Sequence, residues 1–184
     1  MHPPDQKLWY AEPATKFTEA LPVGNGRLGA MVFGGTQQER LLLNENSVWS
    51  GNRSHYDRVS AYQWLPEVRR LLFAGKHEEA AQLVDREILG ERPLGCYQPL
   101  GALALLFEHR GPATDYRREL DLDCAVARVQ FRVGDASFTR EVFASAPDQV
   151  LVVRLTCDQP GRISFIASLS RVEHASLTAR ARRG

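Results

Sequence analysis

Gly24, Gly26 and Gly29 stand at the G-x-G-x-x-G spacing that lets backbone N–H groups approach a pyrophosphate. That chemistry needs an apolar strand before the glycines and a helix opening at the third. Pro22 interrupts the approach, and Ala30-Met31-Val32-Phe33 is closed by Gly34-Gly35 after four residues, a strand length rather than a helix length. Glu45 lies about twenty residues downstream, where a ribose-binding acid would stand, yet no helix separates it from the glycines. A kinase glycine-rich loop also fails, because no Val-Ala-Ile-Lys strand follows. The better reading is a tight turn at Gly24-Asn25-Gly26, where the backbone needs positive φ. Leu21–Val23 leads into it and a strand over Arg27–Phe33 leads out. Asn25 is expected at the exposed tip, able to touch a ligand, although a plain hairpin turn is its simpler role.

A second concentration of chemistry is Leu43-Asn-Glu-Asn-Ser-Val-Trp-Ser-Gly51. Asn44, Glu45, Asn46 and Ser47 crowd hydrogen-bonding groups around the indole of Trp49, a combination suited to sugar hydroxyls over an aromatic face. Taken alone, the plainer expectation is that Trp49 plugs the core while the amides and hydroxyls cap turns. No nucleophile elbow, catalytic cysteine context or zinc-type histidine pair accompanies these residues. His2, His55, His77, His109 and His174 are scattered singly, and Cys96, Cys124 and Cys157 have no metal-like spacing. Carboxylates in the strands fall on polar faces, where solvated charge is the default. A glycosidase pair must face across a bond at roughly 5–9.5 Å, which spacing along one chain does not establish. No catalytic residue, metal or cofactor is assigned.

The elements that would hold these groups are mostly strands. Leu8-Trp9-Tyr10 reads as a first strand, and Glu39–Asn44 as another after the glycine turn. From Ser60 to Gly90 the period changes. Ala61, Tyr62, Leu65, Val68, Leu71 and Leu72 mark one helical face, with Pro66 beginning or kinking the helix and Gly75 ending it. Ala80, Ala81, Val84 and Ile88 mark a second short helix stopped by Gly90. This helical hairpin, about residues 60–90, is inserted between strands. Leu100–Phe107 is apolar on both faces and so central. Tyr116, Leu120 and Leu122 alternate with Arg117, Glu119, Asp121 and Asp123. Ala127–Val133 also alternates, and Gly134-Asp135 turns it into Ser137–Ala144. Val150–Leu155 reads as a buried run, and Gln159-Pro-Gly161 turns it into an alternating strand through Ile163, Phe165, Ala167 and Leu169. The fold class is mainly β, an antiparallel sandwich, with the whole chain as one domain.

Bulk composition agrees. The 184 residues are 43% hydrophobic and 24% charged with a formal net charge of +1, the profile of a globular chain with a sizeable core. That balance gives no electrostatic reason to expect nucleic acid or an anionic membrane as partner. The terminal Arg180–Gly184 run is short enough to be a solvated end, and the sequon Asn52-Arg-Ser54 carries no weight. No apolar run reaches membrane-spanning length, and the N-terminus has no signal-peptide core. The expectation is a cytoplasmic chain or one lacking its export signal.

Several motifs in order carry a resemblance. They are Leu8-Trp-Tyr10, Glu19–Gly34, Leu43–Gly51, Tyr97-Gln-Pro-Leu-Gly101, Tyr116-Arg-Arg-Glu-Leu-Asp-Leu-Asp123 and Arg140-Glu-Val-Phe-Ala-Ser145. Together, from about Leu8 to Leu169, they resemble the N-terminal domain of glycoside hydrolase family 95, the 1,2-α-L-fucosidase family. The resemblance implies a β-super-sandwich that partners a catalytic (α/α)6 helical barrel, with a fucosylated oligosaccharide as the parent enzyme's substrate and inverting hydrolysis as its reaction. The catalytic motifs of that family belong to the barrel and match no position here. Family domains also continue past the strand expected to begin over residues 172–179, so a truncated gene or a fragment is expected. The resemblance leaves two roles, a scaffold for the barrel or a partial subsite. In the latter, Asn25, Asn44, Glu45 and Trp49 would border the sugar. A stand-alone carbohydrate-binding or protein-interaction sandwich is the alternative from another class.

Overall fold

The structure is a computed structural model that describes residues 6–50, 58–90, 95–109, 111–172 and 175–176. It divides into two units, Met1–Val48 with Gln98–Gly184, and Trp49–Tyr97.

The first unit is a β-sandwich. Its strands are β1 (Lys7–Tyr10), β2 (Leu21–Gly24), β3 (Leu28–Val32), β4 (Gln38–Glu45), β5 (Gly101–Phe107), β6 (Ala113–Asp121), β7 (Val126–Val133), β8 (Ala136–Ser145), β9 (Val150–Cys157) and β10 (Phe165–Ser170). They form two five-stranded sheets, ordered β1-β6-β7-β8-β9 and β10-β5-β4-β3-β2. Every pairing is antiparallel. Strict alternation decides which residues meet between the sheets. Leu21, Val23, Ala30, Val32 and Leu41 of the second sheet meet Leu120, Ala127 and Val142 of the first, all buried. Burying a Val or Leu of this kind contributes about 1.5–3 kcal/mol. A second cluster, Val129, Phe131, Ala136 and Phe138, fills the end near the Gly134-Asp135 turn.

Charge is buried at the centre as well. Glu39 of β4 is 0% exposed and Arg140 of β8 is 2% exposed. Arg140 Nη1 donates to Glu39 Oε2, and to the Gly35 carbonyl at 3.0 Å. Glu39 Oε1 accepts the Gly34 N–H at 2.9 Å and the Arg40 N–H at 3.0 Å. The Arg140 guanidinium also lies 4.6 Å over the Phe107 ring. Burial pushes the Glu39 carboxyl up, and the Arg140 charge opposes that rise. Gly34 and Gly35 are required by this arrangement. Gly34 has φ +79°, and a Cβ there would fall 2.5 Å from Tyr116 Oη, the hydroxyl that donates to the Gly34 carbonyl at 2.7 Å. A Cβ on Gly35 would meet the Gln38 carbonyl.

The outer faces differ. On the first sheet Lys7, Arg117, Glu119, Arg128, Glu141 and Arg154 make a cross-strand ladder, with Arg128 2.9 Å from Glu141 and 3.1 Å from Glu119. The polar strand face expected from the alternation is therefore an ion-paired one. On the second sheet the outward register positions include Met31, Arg40, Leu42, Ala102, Ala104, Leu106 and Ile166, with Leu106 and Ile166 exposed.

Three sequence expectations are corrected in detail. Val150–Leu155 is not a buried run, because β9 is the edge of its sheet and none of its residues is more than half-buried. Leu122 and Asp123 lie in the turn after β6, not in the strand. Ile163 precedes β10, an edge strand exposed along its whole length. The continuity of apolar residues misled here because an edge strand can carry them without burying them. Val172 is described without strand structure. Residues 173–174 and 177–179 of the expected strand, Gly51, the sequon, His2, His55, His174 and Arg180–Gly184 lie outside the described residues.

The second unit is the helical hairpin. A 3-10 turn, Ala61–Trp64, runs into α1 (Leu65–Phe73), and Pro66 stands in its first turn and so begins it. Gly75, with φ +75°, ends it. Helix α2 (His77–Leu83) continues into a π-helical turn over Val84–Ile88. Val68, Leu71, Ala80 and Leu83 pack together, with Val84 and Ile88 against them. Tyr62, Leu65, Leu72 and Phe73 remain exposed, so only part of the expected apolar face is covered.

Replacing Glu39 by Gln leaves the Arg140 charge buried without its counterion. Unfolding in urea is expected to show a loss of about 3–5 kcal/mol. The double variant Glu39→Leu/Arg140→Met is expected to lose less than either single replacement. Equal stability of Glu39→Gln and the parent chain would show that the pair does not hold the sheets.

Candidate functional site

The glycine stretch is a hairpin. Strands β2 and β3 pair through Gly24↔Gly29, and Asn25 N–H donates to the Leu28 carbonyl at 3.0 Å. Of the turn residues, Gly26 has the positive φ, +92°. No helix opens at Gly29, which lies within β3, so the phosphate-loop geometry is absent from this segment.

Asn25 is half-buried rather than exposed. Its Oδ1 accepts N–H groups from Arg27 at 3.0 Å and Leu28 at 2.8 Å, and its Nδ2 donates to the Ser145 carbonyl at 2.7 Å. The amide thus shapes its own turn and ties the hairpin to the end of β8. Arg27 extends the tie. Its Nε donates to Gln149 Oε1 at 2.7 Å, and its Nη1 lies 3.7 Å from Glu45 Oε1. Glu45 is the last residue of β4 and accepts the Ser47 hydroxyl at 2.5 Å and the Ser47 N–H at 2.9 Å. These bonds, led by the Ser47 hydroxyl, hold its carboxyl below the ordinary range. Asn25 and Glu45 are therefore brought to one end of the second sheet, bridged by Arg27, in a knot that fixes chain geometry.

Asn44 points the other way. One residue along an antiparallel strand reverses the face, so Asn44 stands on the outer side of the second sheet. It pairs with Gly29, whose hypothetical Cβ would come 3.9 Å from Asn44 Cβ. Among the described residues nothing hydrogen-bonds to its carboxamide. On the same face, Leu42, Ala102 and Ser170 are cross-strand neighbours and floor a cavity of about 460 Å³. Gln98, Pro99 and Arg171 wall it, and Arg171 Nη2 donates to Gln98 Oε1 at 2.9 Å. The Gln98 and Arg171 contribution was not legible in sequence, since it needs β10 beside β5.

Trp49 belongs to the second unit. It is 56% exposed, so it does not plug a core. It forms an antiparallel bridge with Tyr97, itself 42% exposed, and the rings meet edge-to-face at 5.2 Å and 74°. Ser50 N–H donates to the Cys96 carbonyl, and Cys96 N–H to Ser50 Oγ, both at 2.8 Å. The neck of the insert thus presents two exposed aromatic rings from a hydrogen-bonded base. Tyr97 as the partner of Trp49 was missed from sequence. Its only signal was a second aromatic at the other end of the helical insert.

None of these residues forms an acid–base set. The carboxylates of the first sheet's outer face are taken up in the ladder, and Glu39 in the buried pair. Among the described residues no cluster of His, Cys, Asp or Glu could hold a metal ion. No helix among them is long and apolar enough to cross a membrane. The first unit carries amide and guanidinium groups beside small apolar residues around the cavity of about 460 Å³, and the second unit, taken by itself, carries the paired aromatics.

A family model described as glycosyl hydrolase family 65, N-terminal domain, matches residues 8–184. Alpha-L-fucosidase 2 of Arabidopsis thaliana is 42% identical over 176 residues, covering 94% of this chain and 21% of that protein. Probable alpha-fucosidase A of Aspergillus niger is 36% identical over 162 residues, covering 82% of this chain and 20% of that protein. Its namesake in Aspergillus oryzae is 28% identical over 158 residues, covering 80% of this chain and 21% of that protein. The chain spans about a fifth of the length of these relatives.

Asn25→Ala removes one side-chain acceptor serving two N–H groups and one donor. The expected cost is about 2 kcal/mol in urea unfolding, with amide exchange accelerated at Arg27 and Leu28. Unchanged exchange there would separate Asn25 from the turn.

Proposed function

Because the chain belongs to the glycosyl hydrolase family 65 N-terminal domain family, we propose that it is the non-catalytic N-terminal β-sandwich of an α-L-fucosidase-like enzyme of the family 95 type. In this reading the whole chain acts as one domain with a helical insertion. It supports a catalytic helical barrel that hydrolyses α-L-fucosides with inversion. The observation that carries the reading is the 42% identity over 94% of this chain with a protein named alpha-L-fucosidase 2.

One structural feature supports it. The largely apolar outer face of the second sheet suits packing against another protein surface. Within the complete enzyme, Trp49 with Tyr97 is the candidate for stacking on a sugar ring, and Asn44 a candidate for bonding hydroxyls. Asn25 and Glu45 act by fixing the chain rather than by touching the sugar.

The isolated polypeptide is expected to release no fucose from 2′-fucosyllactose, and measurable release would overturn the non-catalytic assignment. In the complete enzyme, Trp49→Ala is expected to raise KM about tenfold with kcat changed less, the pattern of lost binding shared by ground and transition states. Both constants unchanged would remove Trp49 from the sugar's surroundings and leave the scaffold role.

A further inference from the structure

Strand β10 is an edge of the second sheet, and among the described residues no strand pairs with its free side. An open edge is a row of unpaired N–H and C=O groups, which proteins blunt with short strands, charge, proline or bulges. The other edges of the two sheets, β1, β2 and β9, show such devices. β1 and β2 have four residues each, with Lys7 in the first and Pro22 in the second. β9 carries Arg154, which the ladder holds. β10 reads Phe-Ile-Ala-Ser-Leu-Ser, with no charge and no proline. Its register with β5 runs from Phe165↔Phe107 to Ser170↔Ala102 without a bulge.

The free side is ready to pair. Glu108 N–H donates to the Ser164 carbonyl at 3.0 Å, and Phe107 N–H turns the other way, to the Gln37 carbonyl at 2.9 Å. Antiparallel alternation then aims the N–H and C=O groups of Phe165, Ala167 and Leu169 away from β5. Their side chains stand opposite Phe107, Leu105 and Leu103, on the core side of the sheet. Phe165 is nevertheless 42% exposed and Leu169 54% exposed, so the first sheet does not cover them.

A second copy of the same strand fits this edge. A two-fold axis normal to the sheet keeps every side chain on its own face only when one residue lies opposite its own equivalent. With Ala167 opposite the partner's Ala167, Phe165 faces the partner's Leu169, and Leu169 faces the partner's Phe165. Each of these residues points its N–H and C=O at the other copy, so the facing positions are the hydrogen-bonded ones. Apolar side chains then lie across from each other on the core side, a stabilising cross-strand arrangement, and no charge meets a like charge. Moving the axis to Ile166 or Ser168 breaks both Phe–Leu pairs.

We propose that the free edge of β10 is a homodimer interface, on which a second copy of this chain adds its own β10 antiparallel about a two-fold axis at Ala167. It goes beyond the fucosidase reading and does not rest on it. The overlap from Phe165 to Leu169 is short, about 17 Å, so dimerisation is expected to depend on concentration. Analytical ultracentrifugation of the 184-residue polypeptide is expected to show a monomer–dimer equilibrium, with amide exchange at Phe165, Ala167 and Leu169 slowed as the dimer fills. A chain that stays monomeric up to about 1 mM overturns the interface, and protected amides in that monomer would give the edge to the chain's own residues. Growth into polymers also overturns it, because β10 would then pair with a different edge. Ala167→Pro spares the pairing with β5, since that N–H points away from it. It is expected to weaken dimerisation at least about tenfold. A folded Ala167→Pro variant that dimerises like the parent overturns the proposal. Should Ala167→Pro not fold, charge decides. Ala167→Lys and Ala167→Asp are each expected to stay monomeric, with like charges opposite each other across the axis, and their equimolar mixture is expected to dimerise. A mixture that stays monomeric, or either variant dimerising like the parent, overturns the two-fold at Ala167.

Discussion

The two sheets are held in register by one buried ion pair. Glu39 and Arg140 come from different sheets, and each is otherwise surrounded by apolar side chains and backbone. Removing two charges from water is costly, and the pair offsets that cost only through good geometry and further hydrogen bonds. The second condition is met in part: the carboxylate accepts from two backbone N–H groups, and the guanidinium donates through Nη1 to a carbonyl and covers an aromatic ring, while its buried Nε–H has no partner among the described residues. Such a pair contributes less to net stability than an apolar contact of equal volume would. A slip of one residue in β4 or β8 would turn a charge toward the wrong face. Arg118 of β6 is a second buried guanidinium, held by backbone rather than by a carboxylate: it donates at 2.7 Å to the Glu12 and Glu19 carbonyls.

Much of the architecture was written in local pattern. The alternation through Ala127–Val133, the Gly134-Asp135 turn and the change of period at Ser60 each predicted the element that forms. The buried charges were legible in part. Arg140 stands between Phe138 and Val142 at inward parity, and Arg118 stands between Tyr116 and Leu120. Parity put both guanidinium groups indoors, although the default for a charged residue is solvent. Glu39 gave a weaker signal, since only its register with Leu41 reveals the face. Nothing local could show that β4 meets β8, which lies about a hundred residues later.

The candidate site divides the same way. Asn25 was singled out correctly as a turn residue and placed too far outside, because its partner Ser145 is distant in sequence. Trp49 was expected indoors on the general habit of tryptophan and is found exposed. Asn44 and Glu45 looked like neighbours in one loop; strand geometry sends them to opposite faces. The two outer faces of the sandwich carry a further division that composition averages away. The first sheet neutralises itself with its own ladder, and the second shows mostly apolar side chains and small residues.

The hairpin of helices leaves the second sheet after β4 and returns at β5, strands that pair directly through Leu43↔Gly101. Its exit and return points are neighbours, so the sheet does not sense how much chain lies between them. Doubling the length of such an excursion would add only about 0.6 kcal/mol of closure entropy. Position 49 to 97 is thus where this architecture can gain or lose material without disturbing the register of the sheet.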